Sequence, residues 1–251
     1  MIFKNKTGTS PYIFLLAYLL IWLILFEFII PASNVLPKPS IVFQSFGALW
    51  SDYNLLTNFL STVSSIYLPL IIAYFLVMII SEFLFNRKSF FAAFISSIHW
   101  FGKYLPGLLI AFIIIYWFPD SNYIESVFVF FTALSSMIIF YQLEIENVEQ
   151  EYIDSALSLG ISKSNLNRKV LWKSVQPKLF SHIFEMHLYI WSMIIAFEFI
   201  KGGFGLGVVL KNALLYRDLS ALFSIFIITG VTIFIGQTII RFLKKKFAFW
   251  S

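Results

Sequence analysis

The chain has 251 residues, is 59% hydrophobic with a mean hydropathy of +0.84, and is only 12% charged, far below the roughly one quarter that a soluble surface carries. It is therefore read as an integral membrane protein, and its 20% aromatic share suits lipid-facing helices with interfacial belts. The absence of cysteine excludes disulfides, thiolate metal sites and cysteine nucleophiles, and the net charge of +5 sits beside apolar runs, pointing to orientation in a bilayer rather than to nucleic acid.

A crossing helix needs about 20 mostly apolar residues. Six runs approach that length: Tyr12 to Ile30, Ser61 to Ile80, Tyr104 to Phe118, Tyr123 to Tyr141, Leu179 to Ile200 and Leu219 to Leu243. Lys4 and Lys6 precede the first run, which is longer than a signal-peptide core. The following "PASNVLPKPS" lacks a small-x-small cleavage pattern, so the run is kept as an anchor, with Glu27 at a helix contact or the outer interface. Residues 31–58 form the longest outer segment. After Pro31, Pro37 and Pro39, the pattern Ile41, Phe43, Phe46, Leu49 and Trp50 predicts a short amphipathic helix on the membrane or under a docked partner. The third run is short and led by Pro106 and Gly107, which predicts a broken or tilted helix.

Basic residues orient the six spans. With the N-terminus inside, Lys4, Lys6, Arg87, Lys88, Lys103, Lys163, Arg168, Lys169, Lys173, Lys178, Arg241, Lys244, Lys245 and Lys246 are cytoplasmic. Only Lys38, Lys201, Lys211 and Arg217 are outside, a split of 14 to 4. Both termini are then cytoplasmic, and so is the charged segment 142–178.

Within that segment Ile145, Val148, Tyr152, Ala156 and Leu159 share one helical face, and Glu144, Glu146, Glu149, Glu151 and Asp154 favour the N-terminal half. Gly160 ends this helix as a left-handed cap. Ser162 caps a second helix bearing Leu166 and Val170, and Pro177 fits the first turn of the next element. Two readings stand: an amphipathic connection on the inner headgroups, or a docking element whose small residues Ser155, Ala156 and Ser158 admit a soluble partner.

On the fifth span His182, Glu185, Tyr189 and Ser192 form one polar stripe, and His187, Trp191, Ile194 and Glu198 a second line. Ionisable groups in a bilayer usually face a bundle interior or a water-filled path. His182 and Glu185 either satisfy each other at i, i+3 or line a translocation path. Three scattered histidines have no metal-ligand spacing, so neither a metal site nor a catalytic set is expected.

Asp154-Ser155-Ala156, Gly160, Val170 and Pro177 resemble the "EAA, then three, then G" loop of permease subunits in bacterial binding-protein-dependent ABC importers. "VLPKPSIVFQSF" at 35–46 is similar to the Leu-Pro-x-Pro stretch of the nitrate, taurine and sulfonate branch. "FEFIKGGFGLGVVL" at 197–210 resembles its Glu-then-Gly-Leu-Gly segment, and "RFLKKKFAFW" its basic, Trp-terminated tail. The chain departs from the pattern at Asp154 for Glu, Ser155 for Ala, Lys173 for a proline and Phe112 for another.

The resemblance implies an all-α membrane protein of the type I importer permease fold. It would be a single permease domain, 1–251, with about six transmembrane helices and coupling helices between spans 4 and 5, in the bacterial cytoplasmic membrane. ATPase coupling would fall on Asp154, Ser155, Ala156, Leu159, Gly160, Val170 and Pro177. The path or gate would fall on His182, Glu185, Tyr189, Ser192, Glu198, Gly205, Leu206 and Gly207, with Glu198 bracing the Gly-Leu-Gly loop, which is otherwise read as flexible linkage. The implied partners are ABC ATPase subunits, a second or related permease, an extracytoplasmic binding protein and membrane lipid. "GGFGLG" lacks the lysine of a phosphate loop, so ATP and Mg belong to the ATPase chain, and no cofactor is expected here. Rival classes are a stand-alone channel or secondary transporter, which needs no cytoplasmic partner, and a membrane-embedded enzyme, for which His182 and Glu185 lack a third group.

Overall fold

The computed structural model describes residues 11–30, 36–84, 94, 97, 104–121 and 123–248. Lys4, Lys6, Pro31, Val35, Arg87, Lys88, Lys103 and Trp250 lie outside them. The described elements are helical. In chain order they are α1 (Pro11–Ile24) with a π turn (Leu25–Ile29), α2 (Pro39–Ser51), α3 (Leu55–Leu84), α4 (Gly107–Trp117), α5 (Ile124–Glu146), α6 (Gln150–Ser158), α7 (Lys163–Leu166), a second π turn (Asn167–Leu171), α8 (Trp172–Lys201), α9 (Leu206–Leu215) and α10 (Leu219–Phe247).

Four stretches are long and apolar enough to cross a bilayer: Leu55–Glu82, Ile124–Glu146, Asn167–Lys201 and Leu219–Phe247. They contain nearly all of the expected runs 61–80, 123–141, 179–200 and 219–243. They are longer because polar and charged turns continue the helix past the apolar stretch. The other two expected spans are shorter. Tyr104 to Phe118 yields only the 11 residues of α4, because Pro106 stands extended before it and Phe118 leaves helical geometry after it. Tyr12 to Ile30 yields a 14-residue α-helix and the five-residue π turn.

Two compact units form, one from Met1–Leu56 with Val209–Ile228, the other from Thr57–Val208 with Thr229–Ser251. In the first, Pro39 opens α2 where a missing N–H leaves no bond unmade. Glu27 Oε2 accepts the Ser40 N–H at 3.1 Å, a carboxylate at a helix N-terminus, so the expected helix contact of Glu27 is made. The short helix expected after the prolines forms as α2, with Leu49 of the expected apolar pattern turned inward. Val42 and Leu49 are fully buried, whereas Ile41, Phe43 and Trp50 are exposed. The buried line is built around hydroxyls: Ser45 Oγ donates to the Val42 carbonyl at 2.8 Å and meets Ser224 Oγ at 2.5 Å, and Ser224 also reaches the Val42 carbonyl at 3.0 Å. Where the exterior is lipid, polar groups gain by turning inward and aromatics lose little by facing out.

Asp218 caps α10, its Oδ1 accepting the Ala221 N–H at 2.9 Å, while Tyr53 donates to Oδ2 at 3.2 Å. Burial first, and then the Asp218 charge, push the Tyr53 hydroxyl up to about 12, so it remains a donor at physiological pH.

In the second unit one face of α3 is buried along its length at Asn58, Thr62, Ser65, Pro69, Ala73, Val77 and Ser81, a 4, 3, 4, 4, 4, 4 spacing. Small and hydroxyl side chains there let helices approach and bond across. Ser126 Oγ donates to Ser65 Oγ at 3.2 Å, Gln176 Nε2 to Tyr74 Oη at 2.8 Å, and Asn167 Nδ2 to Ser81 Oγ at 2.9 Å. The apolar core beside this seam includes Ile66, Met137, Leu179, Ile190, Trp191, Ile194 and Phe197.

Candidate gate and coupling sites

The glycine-rich turn after α8 is held by side chains from α3 and α8. Gly202, Gly203 and Gly205 have φ of +80°, +91° and +120°, where other residues are strained. The N–H groups of Gly205, Leu206 and Gly207 donate to Asn58 Oδ1 at 2.8 Å, Thr62 Oγ1 at 2.8 Å and Glu198 Oε2 at 2.9 Å. Three orphan donors at the start of α9 are thus satisfied by buried groups. The Thr62 hydroxyl proton goes to the Glu198 carboxylate, with Oε1 at 2.7 Å and Oε2 at 2.9 Å. A Cβ on Gly205 would run into that carboxylate, and one on Gly207 into the Ile195 carbonyl. Glu198 is therefore bonded to the Gly-Leu-Gly turn, and each of the turn's three N–H groups has a buried acceptor.

A turn away on α8, Lys201 Nζ pairs with Glu125 Oε1 at 2.7 Å, with both side chains less than a tenth exposed. Burying two charges is expensive unless each is partnered, so this pair binds α5 to the end of α8. Neither the pair nor the Asn58 and Thr62 contribution was visible in the fifth-span pattern. The 3–4 spacing of Asn58, Thr62 and Ser65 in an apolar run was the available signal.

The two lines of polar residues on α8 have different fates. His187, Trp191, Ile194 and Glu198 are buried. The Tyr67 hydroxyl and the Trp191 indole N–H converge on His187 Nε2 at 2.9 and 3.0 Å, so this histidine is a satisfied core residue. On the first line Glu185, Tyr189 and Ser192 are exposed and His182 is half-buried. The expected His182 to Glu185 pair is corrected: the imidazole Nε2 bonds Ser136 Oγ at 2.8 Å and its ring stacks on Phe140 at 4.3 Å. Packing of α5 against α8 supplies a closer partner than the next helical turn does. Tyr189 lies against the start of α4, where a Cβ on Gly107 would strike its hydroxyl.

The segment 142–178 bends at Gly160 as the sequence predicts. Its φ is +80°, the Gly160 N–H donates to the Leu157 carbonyl and the Ile161 N–H to the Ala156 carbonyl, both at 3.0 Å. That bond pair is a Schellman cap. Three expectations are corrected. No single helix runs from Ile145, because Glu149 turns extended (ψ 133°) and starts α6 afresh. The apolar face loses phase at that break, leaving Ala156 buried but Tyr152 and Leu159 exposed. The second helix is also not separate: α7 passes through the π turn into α8, so Pro177 stands inside that helix rather than in its first turn. Ser162 occupies the start of α7 and its hydroxyl accepts Asn165 Nδ2 at 3.1 Å.

Asp154, Ser155, Ser158 and Leu159 form an open patch with Glu151 on α6. Behind α6, Lys178 pairs with Glu144 at 2.6 Å and joins the end of α5 to α8. Leu166 is buried, Val170 half-buried and Pro177 buried. Among the described residues no group of three or more His, Asp or Glu side chains is placed to hold a metal.

A family model described as binding-protein-dependent transport system inner membrane component matches residues 78–249, which include the Gly160 bend, all of α8 and the Gly-Leu-Gly turn. No curated protein matches the chain.

Proposed function

We propose that this chain, which belongs to the family of binding-protein-dependent transport system inner membrane components, is the permease of an ATP-driven importer that takes up a small molecule by alternating access. One observation carries the reading. The exposed patch at Asp154, Ser155, Ser158 and Leu159 ends in the Gly160 bend, and the continuous rod from Lys163 to Lys201 then leads to Glu198 and the braced turn. A displacement applied at the bend travels along a hydrogen-bonded rod, which is the physical link between two distant sites that coupling needs.

In this reading an ABC ATPase subunit, which binds the ATP and Mg, docks on Asp154, Ser155, Ala156, Leu159 and Gly160, with Val170 and Pro177 supporting the rod. The exposed side chains of Glu185, Tyr189 and Ser192 face a path shared with a second or related permease. Gly205, Leu206 and Gly207 form the outer gate, and an extracytoplasmic binding protein delivers the substrate. The chain acts as one permease domain of six spans with both termini cytoplasmic, in the nitrate, taurine and sulfonate branch.

The test is Gly160→Trp. The site has room for a side chain but a φ that disfavours one. The variant is expected to insert normally, lose ATPase co-purification and lose uptake. Full uptake by this variant would remove the docking role.

A further inference from the structure

The last turns of α10 carry Arg241, Lys244, Lys245 and Lys246, where the helix dipole favours cations. Two of them are held against α8. The Arg241 guanidinium lies 5.0 Å over the Phe184 ring, and Lys244 Nζ donates to Ser181 Oγ at 2.9 Å. Ser181 and Phe184 are three residues apart on α8, so both cations are drawn to one strip of that helix. Lys178, a turn earlier on α8, is already engaged by Glu144. Among the described residues neither Arg241 nor Lys244 has a carboxylate within ion-pair distance. An ammonium with one bond made keeps two donors, and a guanidinium over a ring keeps its N–H groups free at the edge. Beside them Phe242 and Phe247 are exposed.

A cation that only fixes orientation needs no docking contact, as Lys245 illustrates. Paired cations with spare donors, adjoining exposed aromatic rings at the end of a crossing helix, instead match a molecule that is anionic at one end and apolar at the other.

We propose that Arg241 and Lys244, held by Phe184 and Ser181, bind the phosphate headgroup of an anionic glycerophospholipid, whose acyl chains lie against Phe242 and Phe247. The lipid would clip the ends of α8 and α10 together, so its occupancy would set how freely the rod moves.

The test uses the intact complex in nanodiscs of phosphatidylcholine with increasing phosphatidylglycerol, read by thermal unfolding and by lipid retained in native mass spectrometry. Wild type is expected to show a saturable stabilisation by phosphatidylglycerol. The R241Q/K244Q variant should bind it about thirtyfold more weakly, the loss expected for two cations at a headgroup. The K169Q/K245Q variant, which spares Lys246 over the Phe247 ring, has the same net charge and should lose several-fold less. Should R241Q/K244Q fail to insert, Ser181→Ala, which leaves the charge intact, is expected to weaken retention. Equal losses in the two double variants would overturn the site. So would full retention in Ser181→Ala, a wild type indifferent to phosphatidylglycerol, or an equal shift from inorganic phosphate in lipid-free detergent.

Discussion

Thr62 joins two parts of the molecule with a single hydroxyl: its oxygen accepts the Leu206 N–H while its proton goes to the Glu198 carboxylate. Valine has the same shape and neither function. Thr62→Val leaves a buried N–H unmet and strips a buried carboxylate of a donor, and each loss costs about 1–3 kcal/mol. The expected outcome is a lower unfolding midpoint for the purified complex and reduced uptake, with Thr62→Ser close to wild type in both. A serine variant as impaired as valine would mean that the methyl group, not the hydroxyl, holds the turn. The carboxylate itself was legible in the sequence, because Glu198 is an acidic residue in an apolar run next to glycines. Its partner Thr62 was not, because it lies 136 residues earlier, and which face of α3 meets α8 depends on packing rather than on periodicity within either run.

Helix ends show how far local chemistry can be read. α6 and α9 close with the same bond pattern. At the end of α9 the Asp218 N–H reaches the Ala213 carbonyl at 2.9 Å and the Arg217 N–H the Leu214 carbonyl at 3.2 Å, with Arg217 at φ +55°. Gly160 is made for that conformation and was recognised for it, whereas nothing in an arginine announces a left-handed residue. Relief of the strain, set against glycine's larger entropy loss, should make Arg217→Gly more stable by about 0.5–1 kcal/mol, seen as a raised unfolding midpoint. A lowered midpoint would show that the arginine side chain holds the turn. The same limit explains the errors around α6. A break that rests on one extended residue, Glu149, leaves a helical spacing intact on paper. A proline suggests a helix start, yet α8 carries Pro177 inside because α7 and the π turn had already begun the helix.

For the whole chain the open quantity is how often it crosses the membrane. Four described helices are long and apolar enough to cross, but the 11 residues of α4 span only about 16 Å against a hydrocarbon core of about 30 Å. Charge bears on the choice. If α1 and α4 both cross, 14 of the 18 basic residues face the cytoplasm. If neither does, Arg87, Lys88 and Lys103 move outside, Lys38 moves inside, and the count falls to 12. The positive-inside rule therefore favours the crossing of α4, with flanking residues covering the shortfall or the bilayer thinning around it. Because the chain has no cysteine, single thiols report sidedness without background. Asp120→Cys, on an exposed residue just after α4, is expected to react with an impermeant maleimide added outside spheroplasts, and Leu105→Cys, on an exposed residue just before α4, only after permeabilisation. Leu159→Cys, 84% exposed beside the Gly160 bend, should react only after permeabilisation. Leu105→Cys labelled from outside together with Asp120→Cys would leave α4 uncrossed and reduce the fold to its long spans. Leu159→Cys labelled from outside would invert the chain and place the α6 patch beyond the reach of any cytoplasmic ATPase.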